Sequence, residues 1–311
     1  MLSPLAHSAP TQPHYNASTE PNRPKPSPYD PPSDLEPWGL SVRLHPLLEK
    51  SDVKISREIA WDTADPEKPK IVSNRLVVET GDNADHIHVR SWPGEKLQFI
   101  VNGKSYVVDA KAKDGTEQGL FINARGGNDT VIVDDDVKLA LDVDGGDGDD
   151  HLQAGGGRSR LYGQSGNDLI RLGSGIGYAE GNDGDDTIIN GKGNAVIYGN
   201  KGNDRLYAGF GAPTKQTYLD GGDGKDWLYA GSGHTVLHGG NDDDHLIGHD
   251  STTFYTGEGN DHVMRNLRKD RIDAGANDHF DRTQGSAYTE VKPSNAGENG
   301  FTVAEKEGAS G

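Results

Sequence analysis

The sequence predicts an all-β solenoid, a right-handed parallel β-roll or β-helix of 18-residue turns, and three observations predict it. One short phrase returns through the chain, as GGDGDDHL at 145–152, GQSGNDLI at 163–170, GNDGDDTI at 181–188 and GNKGNDRL at 199–206. It continues as GGDGKDWL at 221–228, GGNDDDHL at 239–246 and TGEGNDHV at 256–263. A fixed short period marks a stack in which each turn buries its apolar side only against its neighbours. The second observation is the step. The phrase ends on Asp150, Asp168, Asp186, Asp204, Asp226, Asp244 and Asp261, usually seventeen or eighteen residues apart, with outliers at Asp129 and Asp278. The third is composition: 32% hydrophobic residues and a mean hydropathy of −0.76 over 311 residues are too little for an ordinary core of this size, but enough for a thin solenoid.

Taken in order, residues 1–37 hold ten of the sixteen prolines and a single acidic residue, Glu20, before Asp30, which predicts a disordered arm. Residues 38–74 read as mixed linker and short elements, with a short helix near His45–Lys50 and extended pieces around Val53–Ile59. Residues 75–143 read as a β-rich N-terminal cap that closes the apolar cross-section of the stack. Within it, Asn102-Gly103 signals a type I′ hairpin, and GDNADHIHV is a worn copy of the phrase with Asp85 at its aspartate position. The roll follows over 144–281, and 282–311 reads as a polar, flexible tail.

Inside the roll, Val131, Leu152, Ile170, Ile188, Leu206, Leu228, Leu246 and Val263 follow the aspartates by two residues and predict one inward row. Leu161, Ile197, Leu219, Leu237 and Phe254 predict the opposite row. Between the phrases lie AGGGRSRLY (154–162), LGSGIGYAE (172–180), NGKGNAVIY (190–198) and AGSGHTVLH (230–238). These carry Ser159, Gly177, Ala195 and Thr235 where an aspartate would stand, so one edge of the roll has ligands and the other is bare. The bare edge is expected to be held by its apolar row and glycine turns. The half-turn at 209–220, longer than its equivalents and containing Pro213, falls on that edge and can bulge outward there.

The chemistry of the phrase points to a hard cation. Glycines permit a tight turn whose carbonyls converge, and the aspartate adds an anionic oxygen of the kind Ca2+ prefers. Flexible carbonyl-rich loops suit Ca2+ better than the smaller Mg2+. The alternative is a purely structural ladder of Asx turns. A net charge of −18 and a pI near 5.0 argue against nucleic acid or an anionic membrane as partner. No apolar run approaches the ~20 residues of a membrane span, the N-terminus lacks a signal-peptide pattern, and there is no cysteine for disulfides or thiolate sites. There is no HExxH, GxSxG or P-loop, and the abundant acidic pairs belong to the repeat, so no enzyme is expected. His86-x-His88 and His245-x-x-x-His249 have the spacing of metal pairs, but the first lies on a strand edge and the second spans a turn. Tyr162, Tyr198, Tyr207, Trp227 and Tyr229 should point outward, either covering the roll or stacking on sugar rings.

The phrase resembles the nonapeptide G-G-x-G-x-D-x-U-x, with U a large apolar residue, of the RTX (repeats-in-toxin) calcium-binding β-roll of secreted bacterial proteins. The resemblance implies ions held between loops of successive turns. Each takes the second and fourth carbonyls plus the aspartate of one loop, and the first and third carbonyls plus the aspartate of the next. Carried over, one ion would use Gly146, Gly148 and Asp150 with Gly163, Ser165 and Asp168, and the next Gln164, Gly166 and Asp168 with Gly181, Asp183 and Asp186. The pattern continues through Asn182, Gly184, Gly199, Lys201 and Asp204, then Asn200, Gly202, Gly221, Asp223 and Asp226, then Gly222, Gly224, Gly239, Asn241 and Asp244. It ends with Gly240, Gly257, Gly259 and Asp261, with Asp242 replacing a fourth-position glycine and Thr256 a first-position one. Asp129 and Asp278 flank the row, which would enclose about five to seven ions.

The resemblance further implies a secreted, non-catalytic calcium-binding or scaffold module, expected to be monomeric, with a host protein or a polysaccharide as partner. The Ser/Thr/Pro-rich, acid-poor leader is similar to type III effector signals, while GFTVAEKEGASG at the C-terminus does not read as a type I export signal. The alternative function is a carbohydrate-binding or adhesive module similar to the R-modules of alginate epimerases.

Overall fold

The structure is a computed structural model that describes residues 39–65, 67–110 and 118–265, short pieces within 27–35, and strands at 271–273, 279–282, 289–291 and 303–305. Most of the arm 1–37 and of the tail 282–311, together with Asp278, lies outside the described residues. The described chain is all β with no helix. Strands β1 (Leu40–Glu49), β2 (Lys54–Asp62), β3 (Lys70–Glu79), β4 (His86–Trp92), β5 (Lys96–Val101) and β6 (Lys104–Asp109) precede β7 (Gln118–Asn123) and β8 (Thr130–Val133).

Each later turn supplies one long strand and one short one. These are β9 (Ala140–Asp147) with β10 (His151–Gln153), β11 (Ser159–Ser165) with β12 (Leu169–Arg171), β13 (Gly177–Asp183) with β14 (Thr187–Ile189), and β15 (Ala195–Lys201) with β16 (Arg205–Tyr207). Then come β17 (Gln216–Asp223) with β18 (Trp227–Tyr229), β19 (His234–Asn241) with β20 (His245–Ile247), β21 (Ser251–Glu258) with β22 (His262–Arg265), and β23 (Arg271–Asp273) with β24 (His279–Arg282). Two short strands, β25 (Thr289–Val291) and β26 (Val303–Glu305), end the set.

Long strands stack on long and short on short. The result is a 14-stranded sheet and a 12-stranded sheet, parallel from turn to turn through the roll. Period-two alternation sends every second side chain between the sheets. Val131, Leu152, Ile170, Ile188, Leu206, Leu228, Leu246 and Val263 stand in register on the short sheet, all fully buried. Facing them, Leu161, Ala179, Ile197, Leu219, Leu237 and Phe254 form the second row. Where that edge narrows at Gly177, Leu172 occupies the space a side chain would need, its Cδ1 only 2.7 Å from a Cβ built on the glycine.

The N-terminal end departs from the sequence reading in one respect. His45–Lys50 is not helical: Leu40–Glu49 is an edge strand antiparallel to β2, with a register shift between Pro46 and Leu48. Leu40, Val42 and Leu44 alternate with Ser41, Arg43 and His45, which is a strand period, and a proline on an edge strand forfeits no inner ladder bond. The cap therefore begins in residues read as linker. Strands β1 and β2 extend the long sheet antiparallel beyond β3, while β5 and β6 extend the short sheet beyond β4. Buried Arg57 of β2 donates to the Asp109 carbonyl of β6 at 2.7 Å and to Asn74 at 3.1 Å, joining the two extensions over the end of the core.

Leu206→Ala, in the middle of the buried row, should cost about 2–5 kcal/mol. A urea midpoint of the calcium-saturated protein indistinguishable from wild type would show that the row does not carry the stability assigned to it.

Candidate metal centre

The loops joining each long strand to the next short one form one edge of the roll. Their second and fourth positions sit in the left-handed backbone region: φ is +102° and +122° at Gly146 and Gly148, and +126°, +141° and +128° at Gly166, Gly184 and Gly202. Asparagine serves the second position at Asn182 and Asn200, and Gln164 also adopts it, at +80°. Asp242 holds φ at +75°, so this replacement of glycine keeps the shape of the loop.

The aspartates at the sixth position are buried and joined in a ladder. The backbone N–H of Asp150 donates to Asp168 Oδ1 at 2.7 Å, that of Asp168 to Asp186, Asp186 to Asp204 and Asp204 to Asp226, all at 2.7 Å. Asp226 donates to Asp244 and Asp244 to Asp261 at 2.9 Å, and at the other end Asp129 donates to Asp150 and Asp85 to Asp129. The structural ladder weighed as the alternative to metal binding is thus present, but it uses one oxygen only. Oδ2 of Asp129, Asp150, Asp168, Asp186, Asp204, Asp226 and Asp244 is buried without a hydrogen-bond partner. Asp85 differs: Asn102 Nδ2 donates to its Oδ1 at 2.6 Å and the Gly81 N–H to its Oδ2, so the hairpin asparagine closes the ladder.

The free oxygens point into cradles that only glycine leaves open. A Cβ on Gly145, Gly163, Gly181, Gly199, Gly221 or Gly239 would fall between 1.9 and 2.5 Å from the Oδ2 of its own loop's aspartate, and 2.2 to 2.9 Å from the first-position carbonyl of the following loop. Six neighbouring pairs of loops therefore bring together a buried, unpaired carboxylate oxygen and a carbonyl, with further carbonyl columns at the second and fourth positions. That is a hard-oxygen donor set, and its chemistry fits Ca2+. At Asp129 and Asp261 the first-position residue is Ala124 or Thr256 in place of glycine. The third-position carbonyls of Ser165, Asp183, Lys201, Asp223 and Asn241 accept the N–H of the fourth-position glycine one turn earlier, which leaves one lone pair on each.

Burial raises the aspartate pKa values, the N–H bonds of the ladder pull them partly back, and for most the adjoining aspartates push them up again. Asp168 stands at about 6, Asp129, Asp150, Asp204 and Asp226 at about 7, and Asp186 and Asp244 at about 8.

A family model described as the RTX calcium-binding nonapeptide repeat (4 copies) matches residues 144–179, 180–214 and 220–250. These segments are RTX calcium-binding repeats. No curated protein and no solved structure matches the chain. The repeats cover the loops whose cradles are open, from Gly145 through Gly239.

Several features were not foreseen from the sequence. A second, exposed ladder runs through the fifth position of the RTX loops. Asn128 accepts from the Asp149 N–H, Asp149 from Asn167, Asn167 from Asp185, Asp185 from Asn203 and Asn203 from Lys225. The alternation of Asn with Asp from 128 to 203 was its signal in the sequence: it halves the charge of that stretch while keeping its acceptors.

The bare edge also holds a cation of its own, rather than only apolar residues and glycines. The half-turn at 209–220 exposes Phe210 but turns Lys215 inward, where the buried ammonium donates to the carbonyls of Gly191 at 2.7 Å and Ala208 at 2.5 Å. Burial pushes its pKa down to about 8, against which the two carbonyls hold the proton. The predicted histidine pairs do not come together. His88 bonds Asp134 at 2.8 Å, His249 lies beside Asp250 at 3.3 Å and His245 stacks on Trp227.

The raised aspartate pKa values fix a pH dependence. A carboxylate whose folded pKa exceeds its unfolded one stabilises the fold fully below the unfolded value, about 4, and loses that contribution as pH rises through the folded value. Calcium-stripped protein should thus be more stable at pH 5 than at pH 8, and the calcium affinity of the folded protein should rise as pH rises through the folded values, because the metal displaces those protons. A urea midpoint that rises with pH in the absence of metal would contradict this. Separately, Lys215→Met should lower the unfolding free energy with and without calcium by about 1–3 kcal/mol, because buried carbonyls lose their donor; an unchanged urea midpoint would remove Lys215 from the stabilising set.

Proposed function

We propose that calcium completes the fold of this protein by binding in single file along one edge, in the six cradles opened by Gly145, Gly163, Gly181, Gly199, Gly221 and Gly239. The observation that carries the reading is the row of buried Oδ2 atoms with no partner, facing stacked carbonyls, within RTX calcium-binding repeats. A bound divalent ion supplies the positive charge that the row lacks. The chain supplies the rest: glycines hold the carbonyls inward, Oδ1 fixes the aspartate rotamer by accepting the N–H of the preceding turn, and Oδ2 is left for the ion.

The reading extends to a secreted bacterial protein in which the roll is a non-catalytic binding or scaffold module, folded where calcium is plentiful outside the cell. Loops of this openness suit the weak, ~10−4–10−3 M affinities of extracellular calcium modules, which would keep the chain less ordered before export. A role as part of an effector acting on a host protein belongs to the same reading. The polysaccharide alternative has less support. Tyr207 and Tyr229 stack at 4.5 Å and Trp227 and His245 at 4.0 Å, so these rings spend their faces on one another rather than offering them to sugars.

Calcium-stripped protein should gain β signal in circular dichroism on addition of millimolar CaCl2. By equilibrium dialysis, Asp204→Ala should lose two ions, one because Oδ2 leaves the Gly199 cradle and one because the Asp186 N–H loses the acceptor that shapes its loop. Thr235→Ala, on the bare edge, should lose none. Equal losses from both variants, or a spectrum indifferent to calcium, would overturn the assignment.

A further inference from the structure

We propose a second metal site, separate from the calcium row and of different chemistry: a single transition-metal ion held by the imidazoles of His245 and His262 on the outer face of the short sheet. Its sequence signal is a dipeptide. A histidine directly follows the ladder aspartate at His86, His151, His245 and His262, and His279 follows Asp278 in the sequence, so that the last three belong to consecutive turns. Adjacent parallel strands put these positions side by side, with His245 opposite His262 and His262 opposite His279. Strands lie roughly 4.8 Å apart, so imidazoles on neighbouring strands can reach one ion at the ~2.0–2.1 Å metal–nitrogen distance.

The two described rings already lie close to such a geometry. Their centroids are 5.3 Å apart at 83°, an edge-to-face contact rather than a stack. The plane of His245 is fixed from the other side by Trp227, parallel to within 9° at 4.0 Å. Its Nδ1 is buried without a hydrogen-bond partner. A ring that is held flat, lies beside a second imidazole and keeps an unused nitrogen is suited to be a ligand. The cluster does not compete with the calcium edge, because Asp244 and Asp261 are buried in their loops while His245 and His262 are half-buried on the sheet face. Imidazole nitrogen selects Cu2+, Ni2+ or Zn2+, while Ca2+ takes oxygen ligands, so both sites can be filled together.

The test uses the full chain saturated with calcium and titrated with CuCl2 in the presence of excess glycine as a competing chelator. Copper bound at His245 lies against Trp227, so it should quench that fluorophore in a saturable step ending at one equivalent. Trp227→Phe should abolish the quench while bound copper, measured by dialysis, remains at one equivalent. His262→Gln, on the outer face, should weaken copper binding by about tenfold or more. It should leave the calcium-induced circular dichroism unchanged, and His151→Gln should alter neither quantity. Should His262→Gln fail to fold, His245→Gln carries the same expectation. Quenching that never saturates, or that survives unchanged in a folded His262 or His245 variant, would overturn the site.

Discussion

The structure depends on a column of buried carboxylates in which, from Asp129 to Asp244, one oxygen of each has no hydrogen-bond partner among the described residues. Strand spacing brings these charges within roughly 5 Å of one another, and at an effective dielectric near 20 each adjacent pair would repel by about 3 kcal/mol. The chain relieves part of this by giving each Oδ1 an N–H from the neighbouring turn. The remainder must be met by protons, as the raised pKa values from Asp150 to Asp244 indicate, or by cations in the cradles. Proton and metal therefore compete for the same oxygens, and the fold, its pH dependence and its calcium response share one cause.

The two edges of the roll solve the same problem with opposite means. Tight stacked turns aim carbonyls at one another on both, as Gly173 and Gly191 do on the bare edge and Gly166 and Gly184 on the loaded one. Where aspartates accompany the carbonyls, their charge must be met by a proton or a cation. On the bare edge Ser159, Gly177, Ala195 and Thr235 bring no charge, and Lys215 supplies one tethered ammonium. The long half-turn at 209–220 is thus more than a tolerated insertion: its length lets a lysine fold back into the stack. Outside the aspartate ladder, the Asn and Asp that alternate along the fifth position limit the charge that the loaded edge must bear.

A solenoid must also end its ladders. Asn102, placed by a hairpin in which Asn102 and Gly103 have φ of +50° and +77°, donates to Asp85 and receives the His86 N–H. The last carboxylate of the column thereby acquires neutral donors in place of another turn. Arg57 closes the core beneath it by tying β2 to the β6 carbonyl. Ladder and core are capped by the same pair of antiparallel extensions, one on each sheet.

The repeat by itself determined the architecture, the two buried rows and the identity of the sixth-position aspartates, because a period of one turn leaves a single register in which all apolar residues face inward. It also determined that one edge lacks carboxylates. Local pattern was misleading only at His45–Lys50, where a strand period was read as a helix and pairing with Lys54–Asp62 decided the matter. Tertiary structure alone decided how each carboxylate is divided, one oxygen to a backbone N–H and one left bare, since that depends on the rotamer imposed by the neighbouring turn. It alone decided which loops keep an open cradle, because a glycine at the first position matters only once a Cβ built there is seen to share space with the carboxylate. Side chains that cross between turns, such as Lys215 to Gly191 and His245 to His262, were decided there as well, for their partners are a full turn away in sequence and adjacent only in the stack.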